Sequence, residues 1–275
     1  DINLGVAKKL AALIEKKMPD AKVVMTRDDD NFISLQERAN IANRNRGNLF
    51  VSIHTNSVDK SNPNRRKVAG SSVYALGLHK DANNLKVAQR ENSVIELESN
   101  YEQKYSGFDP KKDESYIIFE MAQKKNLGQS LKFANEAQKH LVSDAQRADR
   151  GVKQAGFWVL WATSMPAVLV ELDFICNPES ARFMGSDKGQ EQLASALYKA
   201  VENFAIGVKP QLEVKSGSPT SGEAKVSKDK NAKKESRKST RSKKRKNRRG
   251  DDPEPEETAS VPEVISHDAD IPVLN

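Results

Sequence analysis

Cysteine is almost missing from this chain. Cys176 is the single one in 275 residues, so no intramolecular disulfide can form. That excludes the small disulfide-stapled scaffolds but not an oxidising compartment, because a large domain with a good core needs no bridges. No run is long and apolar enough to span a bilayer. No secretory leader is visible either. The chain starts at Asp1, without Met and already in a helical pattern, so the reading is of a longer protein whose targeting segment lies elsewhere. Basic residues vanish from Gly250 to Asn275, where eight Asp/Glu stand against no Lys or Arg, whereas Lys209–Arg249 holds sixteen Lys/Arg against four Asp/Glu. Residues 1–208 keep 29 basic and 26 acidic side chains, so the pI near 9.3 belongs largely to the tail. Aromatics are absent from Lys225–Arg249 and no nucleic-acid fold precedes it, so specific nucleic-acid binding is not expected. A solvated linker is the first reading of that stretch, and attraction to anionic wall or membrane polymers the second.

What is present begins with helical spacing. Ile2, Val6, Ala7, Leu10, Leu13 and Ile14 make one apolar face of an amphipathic helix ended by Pro19. Ala21–Arg27 reads as a strand. Ser34 can cap a helix running to about Arg44, with Glu37 as the capping-box partner. Asn48–His54 and Ser72–Leu76 read as strands around an exposed loop at Asp59–Lys67. Residues 81–150 break the rhythm: a helix at Asp81–Glu98, a loop at Ser99–Asp113, and a long helix at Glu114–Val142. This region reads as a helical insertion between two strands of one sheet. Phe157–Trp161 and Ala167–Leu172 are the last expected strands, followed by helices at Pro178–Phe183 and Gly189–Ile206. The alternation points to an α/β fold with a twisted, largely parallel sheet and helices on both faces. It occupies residues 1–207, while 208–275 cannot bury enough apolar surface to fold and is expected to be disordered.

Two stretches carry chemistry. In Asn48-Leu-Phe-Val-Ser-Ile-His-Thr-Asn56 a buried strand stops on a polar cluster centred on His54. Chemistry in open α/β sheets sits past the carboxyl ends of strands, and a histidine there can bind a metal or move a proton. In Met165-Pro-Ala-Val-Leu-Val-Glu-Leu-Asp-Phe-Ile-Cys-Asn-Pro178 a second buried strand delivers Glu171. A buried carboxylate needs a partner, a metal or a catalytic task. Neighbouring strands ending in His54 and Glu171 would form a metal-plus-base pair; a Glu171 bonded to a loop is the plainer alternative.

These stretches, with Ser34-Leu-Gln-Glu-Arg-Ala-Asn-Ile-Ala-Asn43 and Gly151-Val-Lys-Gln-Ala-Gly-Phe-Trp-Val-Leu160, resemble the zinc-dependent N-acetylmuramoyl-L-alanine amidases of the amidase-3 type, cell-wall hydrolases. The resemblance covers Asp1 to about Ile206. It implies zinc (Zn2+) held by His, Glu and His, with a further Glu as base. His54 matches the last zinc ligand and Glu171 the catalytic Glu; the other two ligands are expected upstream of Asp1. It also implies peptidoglycan as substrate, export to the periplasm or cell envelope, and cleavage of the amide between the muramic acid lactyl group and L-alanine. Regulated relatives carry a helical insertion whose Glu reaches the zinc until an activator protein moves it. Arg90-Glu-Asn92 resembles that element, which makes Glu91 the candidate plug, a solvated helix face being the alternative. A non-catalytic wall-binding or regulatory protein of the same fold is the competing reading of the whole. Two positions depart from the family pattern: Asp173, where Gly is usual, constraining the turn after Glu171, and Cys176, where Ser is common. Of the other histidines, His79 reads as a surface loop residue, His140 lies on the insertion helix and His267 in the tail. Arg38 reads as a partner for a carboxylate or a strand cap.

Overall fold

The computed structural model describes residues 2–78, 82–121 and 126–213, all within one compact unit. Four strands form its sheet: β1 (Phe50–Asn56), β2 (Ser71–Leu76), β3 (Asp149–Ala155) and β4 (Ala167–Phe174), in the order β1-β4-β2-β3. β1 runs parallel to β4 and β2 parallel to β3, while β2 and β4 are antiparallel. The sheet is therefore mixed, with two of its three pairings parallel. β4 is buried along all eight residues, which is why Ala-Val-Leu-Val reads as an unbroken apolar run rather than an alternating one.

Side chains alternate across a strand, and the two faces nucleate separate cores. One face gathers Phe50, Tyr74, Leu76, Ala167 and Leu169 under α2 (Leu35–Arg44), α3 (Ala82–Asn92), α4 (Tyr101–Lys104), α5 (Ile118–Met121) and α7 (Trp158–Trp161). Here Tyr105, Phe108, Tyr116, Phe119 and Trp158 pack largely edge to face. The other face gathers Val73, Val168, Val170 and Leu172 under α1 (Ile2–Lys17), α6 (Leu127–Ser143), α8 (Pro178–Gly185) and α9 (Asp187–Glu213).

Several expectations change. Residues 21–27 are not a strand: a strand exists through its ladder, and among the described residues nothing pairs with that segment. Phe157–Trp161 is not a strand but the loop-to-helix step into α7; the strand is Asp149–Ala155 just before it. That sequence is polar because β3 is an edge strand, exposed at its start. The long helix expected at Glu114–Val142 is broken into a 3₁₀ turn at Asp113–Ile117, α5 and α6. The inserted helices also divide: α3 to α5 cover one face, whereas α6 belongs to the core of the other, its Gln138 amide donating to the Ser71 carbonyl and to Asp149. Ser34 does cap α2, accepting from the Glu37 N–H at 3.1 Å. The capping box is only half formed, since the Glu37 carboxylate accepts from Asn40 and Arg44 instead. α9 continues past Ile206 to Glu213, and the remainder of the expected disordered tail lies outside the described residues. No described helix is long and apolar enough to cross a membrane.

Candidate active site

Period-two alternation decides which side chains meet. Phe50, Ser52 and His54 share one face of β1, and Ala167, Leu169 and Glu171 share the same face of β4. The parallel register sets His54 directly beside Glu171. Both residues lie inside their strands rather than past the ends: β1 continues to Asn56 and β4 to Phe174, with an irregularity between His54 and Asn56. The stretch after Glu171, expected to be a turn, is thus strand as far as Phe174.

α3 closes over this pair. Glu91 Oε2 lies 2.7 Å from His54 Nδ1, and the other ring nitrogen, Nε2, is 2.9 Å from the Ser52 hydroxyl. Both nitrogens of the imidazole are therefore engaged. Arg90, the preceding residue, reaches in three directions. Its Nε donates to Glu91 Oε1 at 3.1 Å, its terminal nitrogens donate to the Ser57 carbonyl at 2.6 Å and to Asn56 Oδ1 at 3.1 Å, and it stands 3.5 Å from Glu171 Oε1. Glu171 is fully buried and neither of its carboxylate oxygens has a hydrogen-bond partner. Such a group is costly in a native core and is expected where a protein uses it.

The charges explain the titration of the cluster. Burial, and then the charge of Glu91, push the Glu171 carboxyl well above the usual range, with His54 and Arg90 offsetting part of it. Burial opposes ionisation of Glu91 as well, yet His54 and then Arg90 outweigh it and hold that carboxyl low. For His54, burial works against the imidazolium, and the Glu91 carboxylate overcomes it, so its pKa is raised. The arrangement biases His54 toward its charged form against the Glu91 carboxylate, beside a Glu171 carboxyl biased toward keeping its proton. A group of that kind can give or take a proton near neutrality.

The donors do not complete a metal site by themselves. A catalytic zinc takes three protein ligands, and among the described residues no group of three His, Cys, Asp or Glu side chains could hold a metal ion. His54 and Glu91 supply at most two, and they are spent on each other.

The other sequence candidates fall elsewhere. Arg38 donates through Nε to the Ile33 carbonyl at 2.8 Å; it caps the chain before α2 and makes no ion pair among the described residues. Burial pushes its pKa down, although Glu91 is close enough to oppose this. His140 pairs with Asp144 at 2.8 Å on α6, on the opposite face of the sheet. His79 and His267 lie outside the described residues. Asp173 is buried and structural: Oδ1 accepts from the Gly70 and Phe174 N–H groups, and Oδ2 lies 3.0 Å from Arg147. Cys176 is free and partly buried. Sequence reasoning overlooked Ser52, Asn56 and Asn92. Ser52 had a signal, since it shares His54's side of an alternating strand; Asn92 sat in plain view beside Glu91.

Comparison with known proteins covers the segment that carries these residues. The family model of the amidase-3 type, N-acetylmuramoyl-L-alanine amidase, matches residues 1–203. The amidase AmiC of Escherichia coli O6:H1 is 32% identical over 208 residues, covering 74% of this chain and 46% of AmiC. AmiA of Escherichia coli K12 is 30% identical over 203 residues, covering 73% of this chain and 66% of AmiA. The chain thus spans about half of one relative and just under two thirds of the other. The crystal structure of an N-acetylmuramoyl-L-alanine amidase from Clostridium difficile 630 superposes with a TM-score of 0.52 at 26% identity, covering 75% of this chain and 83% of that one. A match that runs from the first helix through β4 and into α9, on a sheet that sets His54 beside Glu171, makes this chain a member of the N-acetylmuramoyl-L-alanine amidase family of cell-wall hydrolases.

Proposed function

We propose that the protein acts on peptidoglycan as a zinc-dependent hydrolase of the amide between N-acetylmuramic acid and L-alanine, in cell-wall remodelling or daughter-cell separation. The observation that supports this most directly is the buried carboxyl of Glu171, which no hydrogen bond satisfies, in register with His54. In this reading Glu171 takes the proton from the attacking water and returns it to the departing amine. His54 is one ligand of the zinc, whose chemistry would be to polarise the amide carbonyl, and the remaining donors lie outside the described residues. Ser52 orients the imidazole from its other nitrogen. Glu91 is the plug of a closed state: its carboxylate holds the His54 nitrogen that faces α3, and an activator protein acting on the 81–150 region would have to move it. Action on the wall places the protein in the periplasm or cell envelope.

One observation favours a second reading for the 275 residues by themselves, a wall-binding or regulatory module of the same fold without catalysis. No three-donor group exists among the described residues, and His54 is closed off by Glu91. Two measurements on the purified chain separate the readings: zinc content by atomic absorption, and release of stem peptides from purified sacculi. The hydrolase reading expects little zinc and little release from this chain, with both restored in a longer form that carries an upstream His and Glu. Sacculus binding with no zinc and no release in that longer form would establish the module instead. Robust turnover by the 275-residue chain would overturn the assignment of ligands outside it.

A further inference from the structure

Three consecutive residues of the cap are each tied to a different part of the fold. Glu91 meets His54 on β1. Arg90 meets the end of β1, through the Ser57 carbonyl and Asn56, and stands within ion-pair distance of Glu171 on β4. Asn92 turns the opposite way. Its side chain is 1% exposed; Oδ1 accepts from the Trp158 N–H at 2.9 Å, and Nδ2 donates to the Gly156 carbonyl at 2.8 Å and to the Tyr116 hydroxyl at 3.3 Å. The two flanking residues therefore tie the last turn of α3 to the end of β1 and to the turn between β3 and α7.

The three ties differ in what their loss would leave behind. The Glu91–His54 pair is a mostly buried ion pair, whose attraction is largely offset by the desolvation of both partners. Arg90 makes charge-assisted bonds to a backbone carbonyl and a buried amide, and its side chain is 36% exposed, so it is less desolvated than the Glu91–His54 pair. Asn92 satisfies a backbone N–H and a backbone carbonyl in an aromatic core, and removing it would orphan both.

We propose that the closed cap is held by a two-sided clamp, Arg90 on the end of β1 and Asn92 on the turn between β3 and α7, and that Glu91 occupies the site without fastening the helix. The proposal rests on the reading of Glu91 as a plug. It adds that substituting the plug empties the contact but leaves the cap in place. Displacing the helix, as distinct from freeing His54, needs one of the clamps to open, and the Asn92 side leads straight into the cluster of Tyr116, Phe119 and Trp158. A force applied to that cluster is thereby transmitted to the cap, without touching the site.

Hydrogen exchange followed by mass spectrometry on the full 275-residue chain tests this without any substrate. In Arg90→Ala and in Asn92→Ala, amides of 82–97 are expected to exchange about tenfold faster than in the wild type. Amides of 167–172 in β4 should stay within about twofold. In Glu91→Gln the 82–97 amides should stay within about threefold. Arg90→Lys, which keeps the charge but not the fork, should fail to restore wild-type exchange. If Asn92→Ala also deprotects 167–172, it has disturbed the whole core, and Arg90→Ala decides alone, since its side chain is partly exposed. The clamp is overturned if Arg90→Ala leaves 82–97 unchanged, or if Glu91→Gln deprotects that segment as much as Arg90→Ala does. Absence of hydrolysis would count against the catalytic reading and not against the clamp, because exchange is read on the chain alone.

Discussion

Asp173 offers the sharpest quantitative test of how the sheet is fastened. Its buried carboxylate accepts from the Gly70 N–H at 2.8 Å, the Phe174 N–H at 2.7 Å and Arg147 at 3.0 Å. Arg147 in turn lies over the Phe183 ring at 3.8 Å. One side chain thus joins the bend before β2, the end of β4, the entry to β3 and α8. Replacing it with Ala leaves two backbone donors without an acceptor, at about 1–3 kcal/mol each where they stay buried. It also leaves a largely buried guanidinium without its partner, and breaking a fully buried pair costs about 3–5 kcal/mol. Arg147 is 17% exposed and keeps its ring contact, and the bend can admit water, so these losses are not all realised together. The expected destabilisation is about 4 kcal/mol for Asp173→Ala. For Asp173→Asn, which keeps one acceptor and turns an amide toward Arg147, it is about 2 kcal/mol. Urea unfolding followed by circular dichroism measures both. A folded unit of this size shifts its midpoint temperature by about 2–4 °C per kcal/mol, so Asp173→Ala should melt about 8–16 °C lower. In a double-mutant cycle with Arg147→Ala the two changes should couple by about 2 kcal/mol. A loss below about 1 kcal/mol for Asp173→Ala, or full additivity with Arg147→Ala, would show that the carboxylate does not fasten these elements.

Three further outcomes follow from the same structure. In a form that hydrolyses peptidoglycan, Glu171→Gln should lower kcat by about 10²–10⁴-fold with the fold intact, measured as stem-peptide release from sacculi; an unchanged rate removes Glu171 from proton transfer. In that same form Glu91→Ala should raise basal release, and an unaltered rate would count against the plug. Gly156→Ala should destabilise by about 1–3 kcal/mol in urea, because a methyl there would sit 2.2 Å from the Phe119 ring and 2.9 Å from that of Tyr116, in a core with no slack.

Much of the site was legible because alternation and burial are local properties. Ser-Ile-His at the end of an apolar run and Val-Glu-Leu in a second such run announce two inward-facing polar groups, whatever the rest of the chain does. The strand errors have the opposite origin. Residues 21–27 have the composition of a strand, but composition cannot supply a neighbour, and no described strand lies beside them. Phe-Trp-Val-Leu-Trp is as apolar as a central strand, and a short helix wedged among aromatic rings buries it just as well. Asp149–Ala155 was missed because an edge strand hides its polar residues from no one, so its pattern resembles a loop. The division of the inserted helices between the two faces could not be read either: α3 and α6 are both amphipathic, and an apolar stripe does not say which side of a sheet it will cover.

The sequence alone pointed to the fold class and to two inward-facing polar groups, His54 and Glu171, because both are written in the spacing of side chains along one element; Glu91 was reached only through the family resemblance. Tertiary structure decided everything that depends on two elements meeting. It put His54 and Glu171 in register, left the Glu171 oxygens without a hydrogen bond, closed Glu91 onto the imidazole and bonded Asn92 into the aromatic core. Those contacts set the protonation of the site, since a buried carboxyl takes its pKa from the charges that surround it and not from its neighbours along the chain.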